Sequence, residues 1–127
     1  MASAPGISVL IVDDEEDMRS LLRMLIEDAD EGMRVSAEAA DGLAALARWE
    51  EHQPEVVVLD NRMPGMDGLH VAAEILRQRP SQRIVLFSAH LDEATAAEAA
   101  RLGVGTCMSK TEVEKVPAAI RRLAAAG

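Results

Sequence analysis

The sequence predicts a doubly wound α/β fold: five parallel strands in one sheet, with helices on both faces. Three observations carry that prediction. Strand-like and helix-like stretches alternate five times along the 127 residues. The runs Ser8–Val12, Val56–Leu59 and Ile84–Phe87 are continuously apolar after their first residues, as strands covered on both faces are. Polar and charged residues stand at or just past the ends of those runs and of Thr106–Met108: Asp13, Asp14, Asp60, Ser88 and Lys110. Parallel strands bring all five to one edge of the sheet.

The elements follow in order. Ser8–Val12 is the first strand. Met18, Leu21, Leu22, Leu25 and Ile26 then recur at helical spacing. Met33–Ala37 is a less apolar run, which suits an edge strand. Leu43, Leu46 and Ala47 begin a second helical stripe after Asp41-Gly42. Pro54 closes that helix, and Val56–Leu59 follows as a buried strand. Leu69, Ala72, Ala73 and Leu76 form a third stripe between Asp67-Gly68 and Pro80. Ile84–Phe87 is the fourth strand. Glu93–Leu102 is so rich in alanine that propensity alone favours helix. Gly103 and Gly105 bracket the entry to Thr106–Met108, a second edge candidate. Val113, Val116, Ile120 and Leu123 give the last stripe, with Pro117 in its first turn. Five βα units imply a layered α/β domain, and right-handed crossovers leave few strand orders. The order 2-1-3-4-5 belongs to the flavodoxin-like sheets as a class and is taken from that class. It sets strands 1 and 3 side by side at the switch point, where such sheets bind ligands.

Composition sets limits. The length fits one domain, residues 1–127, with a core of about 7–126. Trp49 and Phe87 are the only aromatic residues, so the core must be aliphatic. A formal charge of −9 argues against nucleic-acid or anionic-lipid binding by this domain. A single cysteine, Cys107, excludes an intrachain disulfide and a thiolate metal cluster. No apolar stretch approaches the roughly 20 residues that cross a bilayer. Met1–Gly6 lacks the basic and apolar parts of a secretory signal. A cytoplasmic location, with no membrane association, is expected.

The acids at the sheet edge carry the chemistry. Glu15, Glu16 and Asp17 read as carboxylates offsetting a helix dipole. Asp13, Asp14 and Asp60 differ, because they follow directly on buried strands. Two carboxylates about 4 Å apart at an effective dielectric of about 20 repel by about 4 kcal/mol. A proton or a cation must offset that cost. A small hard cation such as Mg²⁺ suits a few carboxylates, a carbonyl and several waters. Asp60 is the candidate nucleophile toward phosphorus, giving an acyl phosphate. Lys110 can pair with a phosphoryl oxygen, and Ser88 can donate its hydroxyl to another.

Four motifs carry a family resemblance: Val-Asp-Asp-Glu at 12–15, Leu-Asp-Asn-Arg-Met-Pro-Gly-Met-Asp-Gly at 59–68, Phe-Ser-Ala at 87–89 and Ser-Lys at 109–110. In this order and spacing the chain resembles the receiver domain of bacterial two-component response regulators from Ile7 to Ala126. The resemblance implies that Asp60 accepts a phosphoryl group from the phosphohistidine of a sensor histidine kinase. It implies that Asp14 ligates Mg²⁺ directly, Asp13 largely through water, and Arg62 through its backbone carbonyl. Ser88 then matches the switch hydroxyl and Lys110 the lysine of the site. The receiver would transfer the group to itself and lose it slowly to water, without being an enzyme in the turnover sense. A homodimer through the last two βα units and a DNA-binding output domain outside this chain are further implications.

Two positions depart from the family pattern. Cys107 stands where Tyr or Phe is usual three residues before the lysine, so the usual ring rotation is lost. Output is expected either through helix packing on the side of strands 4 and 5 or as a small change. Thr111 replaces a frequent proline, so a cis peptide is not expected there, since it would cost about 3 kcal/mol. Arg62 and His90, each two residues past a site residue, are expected to border the phosphoryl group. His52 and His70 read as surface residues, Trp49 as a partly packed ring near the end of the second helix, and Cys107 as inert. Met63 and Met66 shape the turn around Pro64-Gly65. The competing reading is a Mg²⁺-dependent phosphohydrolase with Asp60 as nucleophile. Such enzymes place an acid two residues later, where this chain has Arg62. A pseudo-receiver that binds partners without phosphate is a third reading.

Overall fold

A computed structural model describes residues 6–29 and 32–126. Residues 1–5, on which most of the signal-peptide reading rests, lie outside them. The elements are β1 (Ile7–Val12), α1 (Glu16–Ala29), β2 (Met33–Ala39), α2 (Gly42–His52), β3 (Val56–Asp60), α3 (Gly68–Gln78), β4 (Arg83–Ser88), α4 (Glu93–Leu102), β5 (Thr106–Ser109) and α5 (Val116–Ala125). The strands form one sheet in the order β2-β1-β3-β4-β5, every pair parallel. Each strand runs a residue or two beyond its apolar run, so Asp60 and Ser88 end strands rather than follow them.

The sheet buries both faces. Helices α2, α3 and α4 cover Leu10, Val12, Val57, Leu59, Ile84 and Leu86 with Ala45, Trp49, Val71, Ile75 and Ala99. Helices α1 and α5 cover Val9, Ile11, Val58, Val85 and Phe87 with Leu22, Ile26, Val116 and Ile120. Each such aliphatic side chain contributes about 1.5–3 kcal/mol by leaving water. At the β2 edge the register slips between Val9 and Leu10, leaving Ser36 over. Its hydroxyl donates to the Val9 carbonyl at 3.3 Å, and the Val35 N–H finds the Glu27 carboxylate at 3.2 Å. These two side-chain bonds serve polar groups that the slipped register leaves beside the bulge.

Two helices are rotated from the expected phase. In α2 the buried residues are Gly42, Ala45 and Trp49, while Leu43 is 74 % exposed and Ala47 exposed. In α3 they are Gly68, Val71, Ala72, Ile75 and Leu76, with Leu69 and Ala73 only partly buried. The cause is the same in both. An aspartate caps the helix: Asp41 accepts the Ala44 N–H at 2.8 Å, and Asp67 the His70 N–H at 2.9 Å. The glycine after it faces inward against a close neighbour. A Cβ on Gly42 would lie 2.7 Å from the Met66 side chain, and one on Gly68 2.3 Å from the Asp60 carbonyl oxygen. Residues three and seven further on then face the core.

The last helix starts later than its apolar stripe. Lys110–Lys115 forms a 3-10 turn holding Val113, and α5 begins at Val116 with Pro117 in its first turn. Trp49 is packed more fully than expected. It is buried, and its Nε1–H donates to Gln82 Oε1 at 2.8 Å. The buried Gln82 amide in turn donates to the carbonyls of Pro54, Glu55 and Arg83. No cis peptide occurs among the described residues, at Thr111 or elsewhere.

Candidate functional site

Parallel pairing delivers the polar residues to one crevice. Asp13 follows β1, Asp60 ends β3, Ser88 ends β4, and Lys110 follows β5. Asp13, Asp60 and Ser88 are buried; Asp14 is exposed at the rim. One carboxylate oxygen from each of Asp13, Asp14 and Asp60 lies within 4.8 Å of the others.

Asp13 is fixed on every side. Its N–H donates to the Ala39 carbonyl at 3.1 Å. Its carbonyl accepts Arg19 Nη1–H at 2.7 Å, and its Oδ1 accepts the Glu15 N–H at 2.8 Å. Its Oδ2 lies 2.8 Å from Lys110 Nζ, close enough for an ion pair yet without hydrogen-bond alignment. The same ammonium lies 3.4 Å from Asp60 Oδ2 and 3.7 Å from Glu15 Oε1. Burial is the largest single influence and would lower the Lys110 pKa, but the ion-pair contacts with Asp13 and Asp60 together outweigh it and raise the value.

Asp60 carries the opposite strain. Only 3 % exposed, it accepts the Arg62 N–H at 3.2 Å through Oδ1. Burial first, and then the charge of Asp13, push its pKa up to about 6, against the pull of Lys110 and the Arg62 N–H. One cation among three acids therefore leaves Asp60 short of positive charge.

Ser88 is at the crevice but turned to its own loop. Its hydroxyl donates to the His90 carbonyl at 3.3 Å and accepts the His90 N–H at 3.3 Å. Arg62 and His90 are both exposed, and Arg62 lines the cleft beside Asp14. An open cleft of about 480 Å³ is lined by Asp14, Asn61, Arg62, Met63, Pro64 and Asp67. Asn61 was not singled out from the sequence. Its side-chain oxygen accepts the Leu69 N–H at 3.2 Å and fixes the turn after β3. Arg62 helps to hold the Asp92 carboxyl below its ordinary range, after the dominant bonds from Thr95. Met63 is buried under the turn and Met66 packs beside it. Cys107 lies half-buried on the edge strand, its thiol pushed up by burial, which argues against reactivity. His52 pairs with Glu51 and His70 with Asp67, both away from the acids.

The residues fit a hard divalent cation. All donors are oxygens, two of the three carboxylates are buried, and with Lys110 as their ion-pair partner the cluster still holds net negative charge. Magnesium favours such a set and keeps waters that a phosphate oxygen can replace.

Relatives agree with this geometry. The family model of the response regulator receiver domain matches residues 9–121. The chemotaxis protein CheY of Listeria monocytogenes is 36 % identical over 97 residues, which span 76 % of this chain and 80 % of that protein. A protein-glutamate methylesterase/protein-glutamine glutaminase of Cereibacter sphaeroides is 35 % identical over 126 residues, 94 % of this chain but 34 % of that protein. Among solved structures, a DNA-binding response regulator of the LuxR family from Staphylococcus aureus superposes with a TM-score of 0.86. The two are 27 % identical, and the match covers 93 % of this chain and 98 % of that one. A β2-β1-β3-β4-β5 sheet with its acids at the switch point, matched by that family model over nearly its whole length, has one reading: the chain belongs to the response regulator receiver domain family.

Proposed function

We propose that this domain is a phosphorylation-dependent switch whose acceptor is Asp60. The single observation that carries the reading is the buried carboxylate with its pKa raised to about 6, beside Lys110 and two further acids. An Asp60 oxygen attacks the phosphorus of a sensor kinase's phosphohistidine. The P–N bond breaks, the imidazole leaves and takes a proton, and an acyl phosphate remains. Asp13, Asp14, Asp60 and the Arg62 backbone carbonyl are the residues that would hold Mg²⁺, which when bound neutralises charge on the transferring group. Lys110 pairs with one phosphoryl oxygen. Ser88 exchanges its bonds with His90 for a bond to another. Water later cleaves the O–P bond and releases phosphate.

The whole chain, 1–127, acts as one such domain in the cytoplasm. It performs self-transfer and slow self-hydrolysis, and the output lies elsewhere. The Staphylococcus aureus neighbour, named as DNA-binding, supports an output domain of that kind outside this chain. The acidic charge argues against nucleic acid on the receiver itself. With Cys107 in place of a ring, the signal runs through helix packing around β4, β5 and α5, the same face that would pair two copies. Intact mass after incubation with acetyl phosphate and Mg²⁺ tests the reading. We expect one added phosphoryl group, lost in Asp60→Asn and in chelator. Free multiple turnover would favour the phosphohydrolase reading instead, and no adduct under any condition would leave a pseudo-receiver.

A further inference from the structure

Arg19 was absent from the residues read as functional, yet among the described residues it is the one side chain besides Lys110 seen to hold Asp13. Its Nη1–H donates to the Asp13 carbonyl at 2.7 Å, and its Nε–H donates to Glu38 Oε1 at 3.2 Å. The side chain is 17 % exposed, so both bonds are largely shielded from water. Glu38 lies on β2 and also accepts Arg23 Nε–H at 2.7 Å through its other oxygen. Arg23 reaches Glu27, whose carboxylate receives the Val35 N–H at the bulge. A ladder of charges thus ties the β1–α1 turn to the edge strand. Only its Arg19 rung touches the turn that carries Asp13 and Asp14.

We infer that Arg19 is a positioning residue for the acidic pocket, fixing the main chain at Asp13 so that the Asp13 and Asp14 carboxylates meet Asp60. The inference rests on the proposal that these acids bind Mg²⁺. Two effects of Arg19 oppose each other. Its positive charge repels a cation, while its bond to the turn preorganises the ligands. Arg19 meets Asp13 through the main-chain carbonyl and is itself paired with Glu38 at 3.2 Å, so we take preorganisation to dominate. Lysine cannot reproduce the arrangement, because one ammonium cannot serve the carbonyl and the carboxylate in the planar geometry of a guanidinium.

Magnesium titration of the full chain by isothermal calorimetry at pH 7.5 tests this, with metal-free urea midpoints measured in parallel. Removing a group that supports a metal ligand costs roughly tenfold in affinity or more. Arg19→Gln is expected to weaken Mg²⁺ binding about tenfold, with Arg19→Lys in between. Arg23→Gln is the control: it removes a partner of the same Glu38 and lowers stability comparably, but leaves Mg²⁺ affinity unchanged. Equal or tighter binding by Arg19→Gln overturns the inference, as does an equal loss in Arg23→Gln. If Arg19→Gln does not fold, Arg19→Lys decides alone, and parent-like affinity there overturns the inference. Failure of the site assignment looks different: the parent itself then binds no Mg²⁺, or Asp14→Asn binds it as well as the parent.

Discussion

Asp60→Asn should stabilise the metal-free protein, and the gain should grow with pH. In the fold the Asp60 pKa rises from 3.8 to about 6, chiefly by burial and then by the charge of Asp13. In the unfolded chain it returns to its ordinary value. The folded state therefore holds this proton more tightly, and stability falls as pH rises through that window. At 1.36 kcal/mol per pH unit, the full penalty is about 3 kcal/mol above pH 7. About half of it is already present at pH 5. Asparagine carries no charge and can still accept the Arg62 N–H, so it avoids the penalty. With an m-value of about 2 kcal/mol per M, the urea midpoint of the variant at pH 8 should exceed the parent's by about 1.5 M. Urea unfolding in chelator at pH 5 and pH 8, on both proteins, is the assay. The difference should widen by about 1.5 kcal/mol between the two pH values. A constant difference, or a variant less stable than the parent at pH 8, would refute the claim that this carboxylate is held against its preference.

Three further outcomes are expected. Asp14→Ala should abolish most of the rise in melting temperature that Mg²⁺ produces, which in the parent follows from linkage and reaches about 2.7 kcal/mol at 100 times the dissociation constant. Scanning calorimetry with and without the metal checks it. Arg62→Ala and His90→Ala, both at exposed positions, should change phosphoryl lifetime severalfold while shifting stability by no more than about 0.5 kcal/mol. Decay of the phosphorylated mass with time is the measure. Gly68→Ala should cost at least about 2 kcal/mol and slow phosphorylation as well, because the added methyl would meet the Asp60 carbonyl oxygen at 2.3 Å. Parent-like stability there would mean that the turn yields freely.

Much of the fold was legible because its signals are one-dimensional. Val56–Leu59 needs only its own residues to read as a buried strand, and the alanines of Glu93–Leu102 match α4 from end to end. The site was legible for the same reason, since strand ends announce themselves. What escaped was anything set by a partner distant in sequence. Leu43 looked like a core residue because hydrophobic patterning ignores glycine, yet Gly42 and Gly68 set the rotation of their helices. Nothing local marks Gln82 as buried; its bond comes from Trp49, 33 residues away. Nothing local distinguishes Arg19 from the other charges of α1. Its bond to Asp13 depends on how the turn after β1 folds back. The Ser88 rotamer likewise belongs to the loop and not to the sequence pattern.

The placement of Trp49 has an optical consequence. The chain has one indole and no tyrosine, so this ring dominates its near-ultraviolet emission. It is bonded to Gln82, which in turn reaches the Pro54 carbonyl, at the pole where strands begin. The acids lie at the other pole, beyond the five residues of β3, a span of roughly 16 Å. A quencher held by the acids is too distant to darken the ring by touch. Any brightening or dimming that accompanies loading must then be relayed through the fold, by β3 or by α2, whose first residue Gly42 packs against Met66 in the turn after β3, which gives the molecule a built-in lamp for long-range relay.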